Sequence, residues 1–207
     1  MILPGTAAAA WADQRQQLRW TAFGIQEGKS TVVICETTRL EPAHAPEYRA
    51  LMLHAYAQHP DAFTSSVAER EALPLSWWQA RLNPAPDAND VVFGAWHGGV
   101  LVGAVGLSFD TREKARHKAT LFGMVVLPAQ RRLGLGQQLV AAALACARSR
   151  PGVRVVQLTV TQGNAQAQAL YARNGFAEFG VEPYAVAVEQ GFVSKVHMWH
   201  LLVAESA

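Results

Sequence analysis

Residues 125–138 read "VVLPAQRRLGLGQQ", and the joint inside this stretch decides how the rest of the chain is parsed. The apolar run ends at Pro128, which has no N–H to give to a sheet ladder. From Leu135 onward, Leu135, Leu139, Ala142, Ala143 and Cys146 recur on one helical face. The stretch is therefore a strand, a loop and the first turn of a helix. Its loop falls where several backbone N–H groups lack an intrahelical partner and the helix dipole is positive. Gly134 and Gly136 allow the backbone to approach a ligand closely, and Arg131 and Arg132 add charge at the rim. The pattern predicts an anion site, for which phosphate or pyrophosphate is the usual guest. Taken alone, the same residues also suit a tight turn with solvated arginines. The loop is not a Walker loop, because the lysine-serine/threonine ending is missing. Nor does it carry the three glycines of the dinucleotide fingerprint.

A second constellation lies downstream. "VVQLTVTQGNAQAQALYARNGF" (155–176) runs from a strand through Gly163-Asn164 into a short helix that stops at Asn174-Gly175. Asn164 suits the N-cap and Gly175 the position just past the C-terminus. Ala167, Leu170 and Tyr171 recur at i, i+3 and i+4, a spacing that also allows an ordinary core tyrosine.

Upstream, "TVVICETTRL" from Thr31 reads as a first strand. "PEYRALMLHAYAQHP" has Tyr48, Leu51, Met52, Ala55 and Tyr56 at helical spacing and stops near Pro60. "LSWWQARL" reads as a second helix opened by Ser76, followed by the linker "NPAPDAND". Three strands are expected next, in "VVFGAWH", "VLVGAVGLSF" and "ATLFGMVVL". Gly98-Gly99 makes a hairpin between the first two, and "DTREKARHK" an exposed loop before the third. Residues 1–30 read as a separate N-terminal extension, helical or mobile, and 31–207 as one domain.

Composition narrows the class. Of 207 residues, 50% are hydrophobic and 16% charged, enough apolar material for a core. A formal charge of +2 without a lysine/arginine block gives no support to nucleic-acid binding. No run of about 18 apolar residues suggests a membrane span, and the N-terminus lacks a basic region before its apolar part. Cys35 and Cys146 stand far apart without metal-type spacing, which fits a reducing, cytoplasmic compartment. No metal site is expected: His197 and His200 fall on opposite faces of a strand, and His54 and His59 are similarly unsuited.

The order of these elements carries a resemblance. R-x-x-G-x-G after a strand, then N-x-x-A-x-x-L-Y-x-x-x-G-F after the next, resembles the GNAT superfamily of N-acetyltransferases. The matching residues are Arg131, Gly134 and Gly136, then Asn164, Ala167, Leu170, Tyr171, Gly175 and Phe176. The likeness continues backward over 59–82 and forward over 175–202, and spans about residues 31 to 204. It implies an α/β (α+β) fold with a mixed, mostly antiparallel sheet flanked by helices and splayed between its fourth and fifth strands. Acetyl-CoA would be the co-substrate, held in the splay. Main-chain groups of Met124, Val125 and Val126 would bond the acetyl carbonyl and pantetheine arm. The loop of Arg131, Arg132, Leu133, Gly134, Leu135, Gly136 and Gln137 would cradle the pyrophosphate, and Asn164 would reach the cofactor. Tyr171 would protonate the departing thiolate. An acetyl group would pass directly to a primary amine of a small molecule or peptide, and a homodimer is compatible with this reading. The alternative is a non-catalytic acetyl-CoA-binding module that regulates a partner.

The general base is the open question. Neither "ATLFGM" on the fourth strand nor "QLTVT" on the fifth contains a carboxylate, and Thr159 stands where some relatives carry glutamate. A base acting through ordered water, or an acceptor with a low-pKa amine, would meet the need. His117 is the best side-chain candidate by position, since histidine titrates near neutrality. Glu69, Glu71 and Glu182 would border the acceptor cleft, although such carboxylates are most often solvated. Trp77 and Trp78 suit packing of the second helix, and Tyr184 is placed to face the cleft. The acceptor itself is not specified by these residues.

Overall fold

The computed structural model describes residues 35–202, so the extension over 1–30 and the start of the first expected strand, 31–34, lie outside the described residues. Strand β1 is Cys35–Arg39. Helix α1, Ala45–Gln58, has a proline in its first turn and buries Tyr48, Leu51, Met52 and Ala55 of the periodic set, with Tyr56 half-buried. Two short helices follow, α2 at Val67–Glu71 and α3 at Leu75–Arg81. Strands β2 (Asp90–His97) and β3 (Val100–Phe109) form the expected hairpin, with Gly98 and Gly99 at φ 57° and 79°. Next come β4 (Lys118–Val126), α4 (Leu135–Ser149), β5 (Val155–Thr161) and α5 (Ala165–Arg173). The chain closes with β6 (Ala177–Val188) and β7 (Gly191–Leu201).

Two local expectations are corrected. Helix α2 was hidden in a polar stretch, where Ser66 and Glu69 form a capping box: Ser66 Oγ accepts from Glu69 N (3.2 Å) and Glu69 Oε2 from Ser66 N (2.8 Å). Ser76 does not cap α3, which already starts at Leu75 with Pro74 at its N-cap and no side-chain cap bond.

The seven strands form one sheet in the order β1-β2-β3-β4-β5-β7-β6. All neighbours are antiparallel except β4 and β5, whose parallel pairing covers only Lys118–Thr120 against Val155–Gln157. This is the mixed, splayed sheet of the sequence reading. β2 and β3 are buried on both faces, so they read as continuous apolar runs rather than alternating ones. On one face α4 sets Leu139, Val140, Ala143 and Ala147 against β-strand side chains including Val105, Leu121, Val156 and Leu158. On the other, α1 and α3 set Tyr48, Met52, Trp78 and Leu82 against Leu40, Val92 and Leu101.

The linker at 83–88 is held by arginines instead of sheet bonds. Arg39 Nη2 donates to the carbonyls of Asn83 (2.8 Å) and Ala85 (3.0 Å). Arg150 donates to those of Pro86 (3.0 Å), Asp87 (3.4 Å) and Ala88 (2.8 Å), and its guanidinium lies 3.6 Å over the Phe109 ring.

Leu139 is fully enclosed beneath the sheet. Leu139→Ala should destabilise the domain by about 2–5 kcal/mol, from lost burial and the cavity left behind. A urea titration would register this as a lower midpoint at unchanged slope.

Candidate active site

The site grows out of an irregularity in β4. The β3–β4 register jumps from Gly106↔Phe122 to Ala104↔Val125, so Gly123 and Met124 together oppose Val105. Gly123 takes φ 60°, which the bulge requires and a side chain would resist. On the other edge, pairing with β5 has ended at Thr120. Main-chain groups of Met124, Val125 and Val126 therefore border an open wedge and line a cavity of about 590 Å³.

The loop after β4 closes one end of this cavity. A 3-10 turn at Pro128–Gln130 leads to Arg131 in extended conformation, Arg132 at φ 67° and Gly134 at φ 77°. The first helical bond of α4 runs from Gln138 N to Gly134 O at 3.1 Å, so the N–H groups of Leu135, Gly136 and Gln137 have no intrahelical acceptor. All three residues line the cavity. A Cβ on Gly136 would lie 3.2 Å from Leu170 Cδ2 and 3.4 Å from Met124 Cε, so this glycine preserves space where α4, α5 and β4 converge. Gly134 has no heavy atom near its missing Cβ, and only its backbone angle demands glycine.

Arg131, Arg132 and Arg173 line the same cavity, against Asp61 as its one acidic wall residue among the described residues. Such walls favour an anion. Arg131 is not a free rim cation: its Nε donates to Val126 O (3.2 Å) and its Nη2 to His59 Nε2 (3.2 Å). Gln137 and Asn174 exchange side-chain bonds of 2.7 and 3.0 Å, which ties the start of α4 to the end of α5. Asn164 caps α5 as expected, its Oδ1 accepting from Ala167 N at 3.1 Å, and it also lines the cavity.

Most of the residues singled out in the sequence thus meet at one place, with exceptions. Leu133 points away, 44% exposed and outside the cavity walls. Leu170 lines the cavity, whereas Tyr171, expected at the cofactor, packs edge-on to Phe176 with ring centroids 5.8 Å apart and is not among the cavity walls. Burial raises the Tyr171 phenol above its ordinary pKa, and its hydroxyl makes no hydrogen bond among the described residues. His117 precedes β4 and lies seven residues from Met124, roughly 20 Å along an extended strand, with its carbonyl taking the N–H groups of Arg154 and Val155. It cannot serve the wedge.

Of the glutamates, Glu69 is spent in its capping box and Glu182 sits 2.9 Å from His197 Nε2. Glu71 is exposed outside the cavity walls. Tyr184 is 76% exposed at φ 55°, edge-on to Phe192, and is not among the cavity walls. Trp78 is buried as packing, and Trp77 lies under the guanidinium groups of Arg70 and Arg81. Cys35 and Cys146 are buried free thiols. No group of three or more His, Cys, Asp or Glu side chains among the described residues is placed to hold a metal. No described helix is long and apolar enough to cross a membrane.

The sequence places the loop from 61 onward near the acceptor but singles out no site residue in the turn at 59–63. His59, Asp61, Ala62 and Phe63 all line the cavity, with His59 against Arg131 of the cradle. Only their position just past the end of α1 pointed there, and no local spacing reveals a contact with strands a hundred residues away.

A bulged β4 parted from β5, with the N-terminus of a helix at the mouth of the wedge, defines an acyl-CoA-type transferase fold, and the chain belongs to the Acetyltransferase (GNAT) family, which matches residues 49–176. A mycothiol acetyltransferase from Salinispora tropica is 31% identical over 130 residues, which is 63% of this chain and 40% of that protein. The match thus spans about two fifths of that relative's length. A GNAT-family acetyltransferase from Streptococcus pneumoniae superposes with a TM-score of 0.73 at 26% identity, covering 81% of this chain and 99% of the other. yncA of Salmonella typhimurium, solved with its cofactor acetyl-CoA, gives a TM-score of 0.68 at 20% identity, covering 84% and 96%.

Because Gly134 is strained only through its backbone, Gly134→Ala should lower the unfolding free energy by about 1–2 kcal/mol without displacing neighbours. Matched circular dichroism spectra with a lowered denaturant midpoint would establish this.

Proposed function

We propose that the protein is an acetyl-CoA-dependent N-acetyltransferase of the cytoplasm, acting on a primary amine of a small molecule or peptide. The observation that carries this reading is a single cavity joining unpaired β4 main chain to the free amides that open α4. The fit to acetyl-CoA rests on its geometry. Free N–H groups at a helix N-terminus and three wall arginines suit a diphosphate, and a Cβ at position 136 would press on Leu170 and Met124, two of the cavity walls. The mycothiol acetyltransferase relative and the acetyl-CoA complex of yncA support the same reading.

When bound, acetyl-CoA supplies an acetyl group activated as a thioester. The amides of Leu135, Gly136 and Gln137, with Arg131 and Arg132, hold its diphosphate, and Asn164 flanks the arm. Leu133 contributes through its backbone alone, since its side chain is solvated. Main chain at Met124–Val126 aligns the arm, and an N–H near Val125 or Val126 stabilises negative charge on the acetyl oxygen. Tyr171, which packs against Phe176 next to the wall residue Leu170 and does not itself line the cavity, is assigned the leaving thiolate's proton on the family resemblance alone. Its raised pKa keeps the phenol protonated, so the hydroxyl holds a proton to give. Neither cysteine lines the cavity, so transfer is direct, without an acyl-enzyme. An alkylamine must lose a proton to attack, and with no carboxylate on the facing strands that proton leaves through water.

The lack of a strand glutamate also favours a second reading, a module that binds acetyl-CoA without catalysis. Thiol release from acetyl-CoA with a panel of amines separates the two, and amine-dependent release is expected.

Isothermal titration should show acetyl-CoA binding that Gly136→Val abolishes. Unchanged affinity in that variant would defeat the cradle assignment. Arg132→Ala should weaken binding by about 1.5–3 kcal/mol at low salt, and by less as salt screens an exposed contact. Tyr171→Phe should lower kcat on the order of 100- to 10,000-fold at nearly unchanged acetyl-CoA affinity. Normal turnover in that variant would make solvent the proton source.

A further inference from the structure

The turn at 59–63 is tied on both sides of the wedge. On the β4 side His59 accepts from Arg131 at 3.2 Å. On the far side Lys195 and Thr161, paired across β7 and β5, reach over to it. Lys195 is only 5% exposed, yet its Nζ donates to Thr161 Oγ1 (2.8 Å), Ala62 O (2.9 Å) and Asp61 O (3.2 Å). Thr161, 6% exposed, donates its own hydroxyl to Asp61 O at 2.8 Å. Three acceptors use all three ammonium protons, so Lys195 is charged and has no lone pair to act as a base. Burial pulls its pKa below the ordinary lysine value, and the Asp61 charge pulls it back.

The consequence falls on Asp61. Its backbone carbonyl takes two hydrogen bonds, while its carboxylate takes none and has no ion-pair partner among the described residues. The Lys195 protons are committed to backbone carbonyls and a hydroxyl, and cannot bind that carboxylate. Asp61 is thus the sole acidic residue on the cavity wall among the described residues, fixed through its main chain and without a hydrogen bond at its carboxylate, whose charge also acts on Lys195, beside the apolar Phe63. A held backbone with an uncommitted carboxylate suits recognition of a cation.

Resting on the acetyltransferase reading, we propose that Asp61 anchors the protonated amine of the acceptor, with Lys195 and Thr161 as positioning residues that act through the 61–62 main chain. The acceptor class is then an alkylamine that arrives as a cation, not a neutral arylamine. The carboxylate collects the ammonium at the cavity wall, and its proton passes to water before the amine attacks.

Benzylamine and benzyl alcohol, alike in shape but different in charge, test this on the full chain saturated with coenzyme A. Titrations followed by amide NMR shifts at 61–63 should show benzylamine bound roughly 10-fold or more tightly than the alcohol. Asp61→Asn should erase the preference while coenzyme A affinity stays within about twofold. Lys195→Met and Thr161→Val should reduce it, and Thr161→Ser, which keeps the hydroxyl, should retain it. A purely structural clasp would lower stability in these variants and leave the amine-to-alcohol ratio untouched. If Lys195→Met does not fold, the two Thr161 variants carry the comparison. Equal binding of the two probes by the wild type, or a preference that survives Asp61→Asn, overturns the assignment. A wild type that binds no coenzyme A overturns the transferase reading instead, and the same probe pair on the unloaded protein then decides Asp61 alone.

Discussion

Parallel hydrogen bonding between β4 and β5 stops after Thr120 and Gln157, and every main-chain group beyond that point must find another partner. β4 keeps β3 through Val126, across its bulge, and β5 keeps β7 through Thr161. What prevents the strands from zipping shut is packing. The apolar face of α4 meets both sides of the wedge from beneath, so Leu121 of β4 and Val156 and Leu158 of β5 share one core. Leu170 and Met124 stand over the first turn of α4, with only a glycine at 136 between them. The cavity, the bulge and the amide-rich helix start are thus consequences of one interrupted ladder.

The charges around the wedge are arranged by the same interruption. Cationic side chains gather at the end where α4 begins, and Arg131 is drawn inward by Val126 O and His59. A buried ammonium at Lys195 is tolerable because carbonyls at Asp61 and Ala62, lying in a turn outside any ladder, are available to receive it. The turn and the lysine satisfy one another, which neither could do within regular secondary structure.

Much of the architecture was legible because it depends on short-range rules. Pro128, the glycines at 134 and 136, and the face from Leu135 to Cys146 mark the strand, loop and helix within one stretch. Asn164 and Gly175 bracket α5 for equally local reasons. The remainder depends on contacts between distant segments. Nothing near Asp61 reports that Lys195 will hold it, and nothing near His117 reports that β4 opens at its other end. Leu170 and Tyr171 both lie at apolar spacing, and only the placement of α5 over α4 decides which faces the wedge. Helix α2 escaped because its stability lies in a capping box and not in an apolar face.

The linker at 83–88 has a meaning for how the chain comes together. Its carbonyls are gathered by Arg39, which ends β1, and by Arg150, which follows the last turn of α4. Prolines at 84 and 86 offer no N–H, so the segment's own bonds are few, from Ala85 N to Asn83 Oδ1 and from Ala88 N to Ala85 O. Its order therefore depends both on β1, through Arg39, and on the far end of α4, where Arg150 lies over Phe109. A protease cut within these residues would report the undocking of β1 or α4 from the sheet, a remote event, and not local looseness of a surface loop.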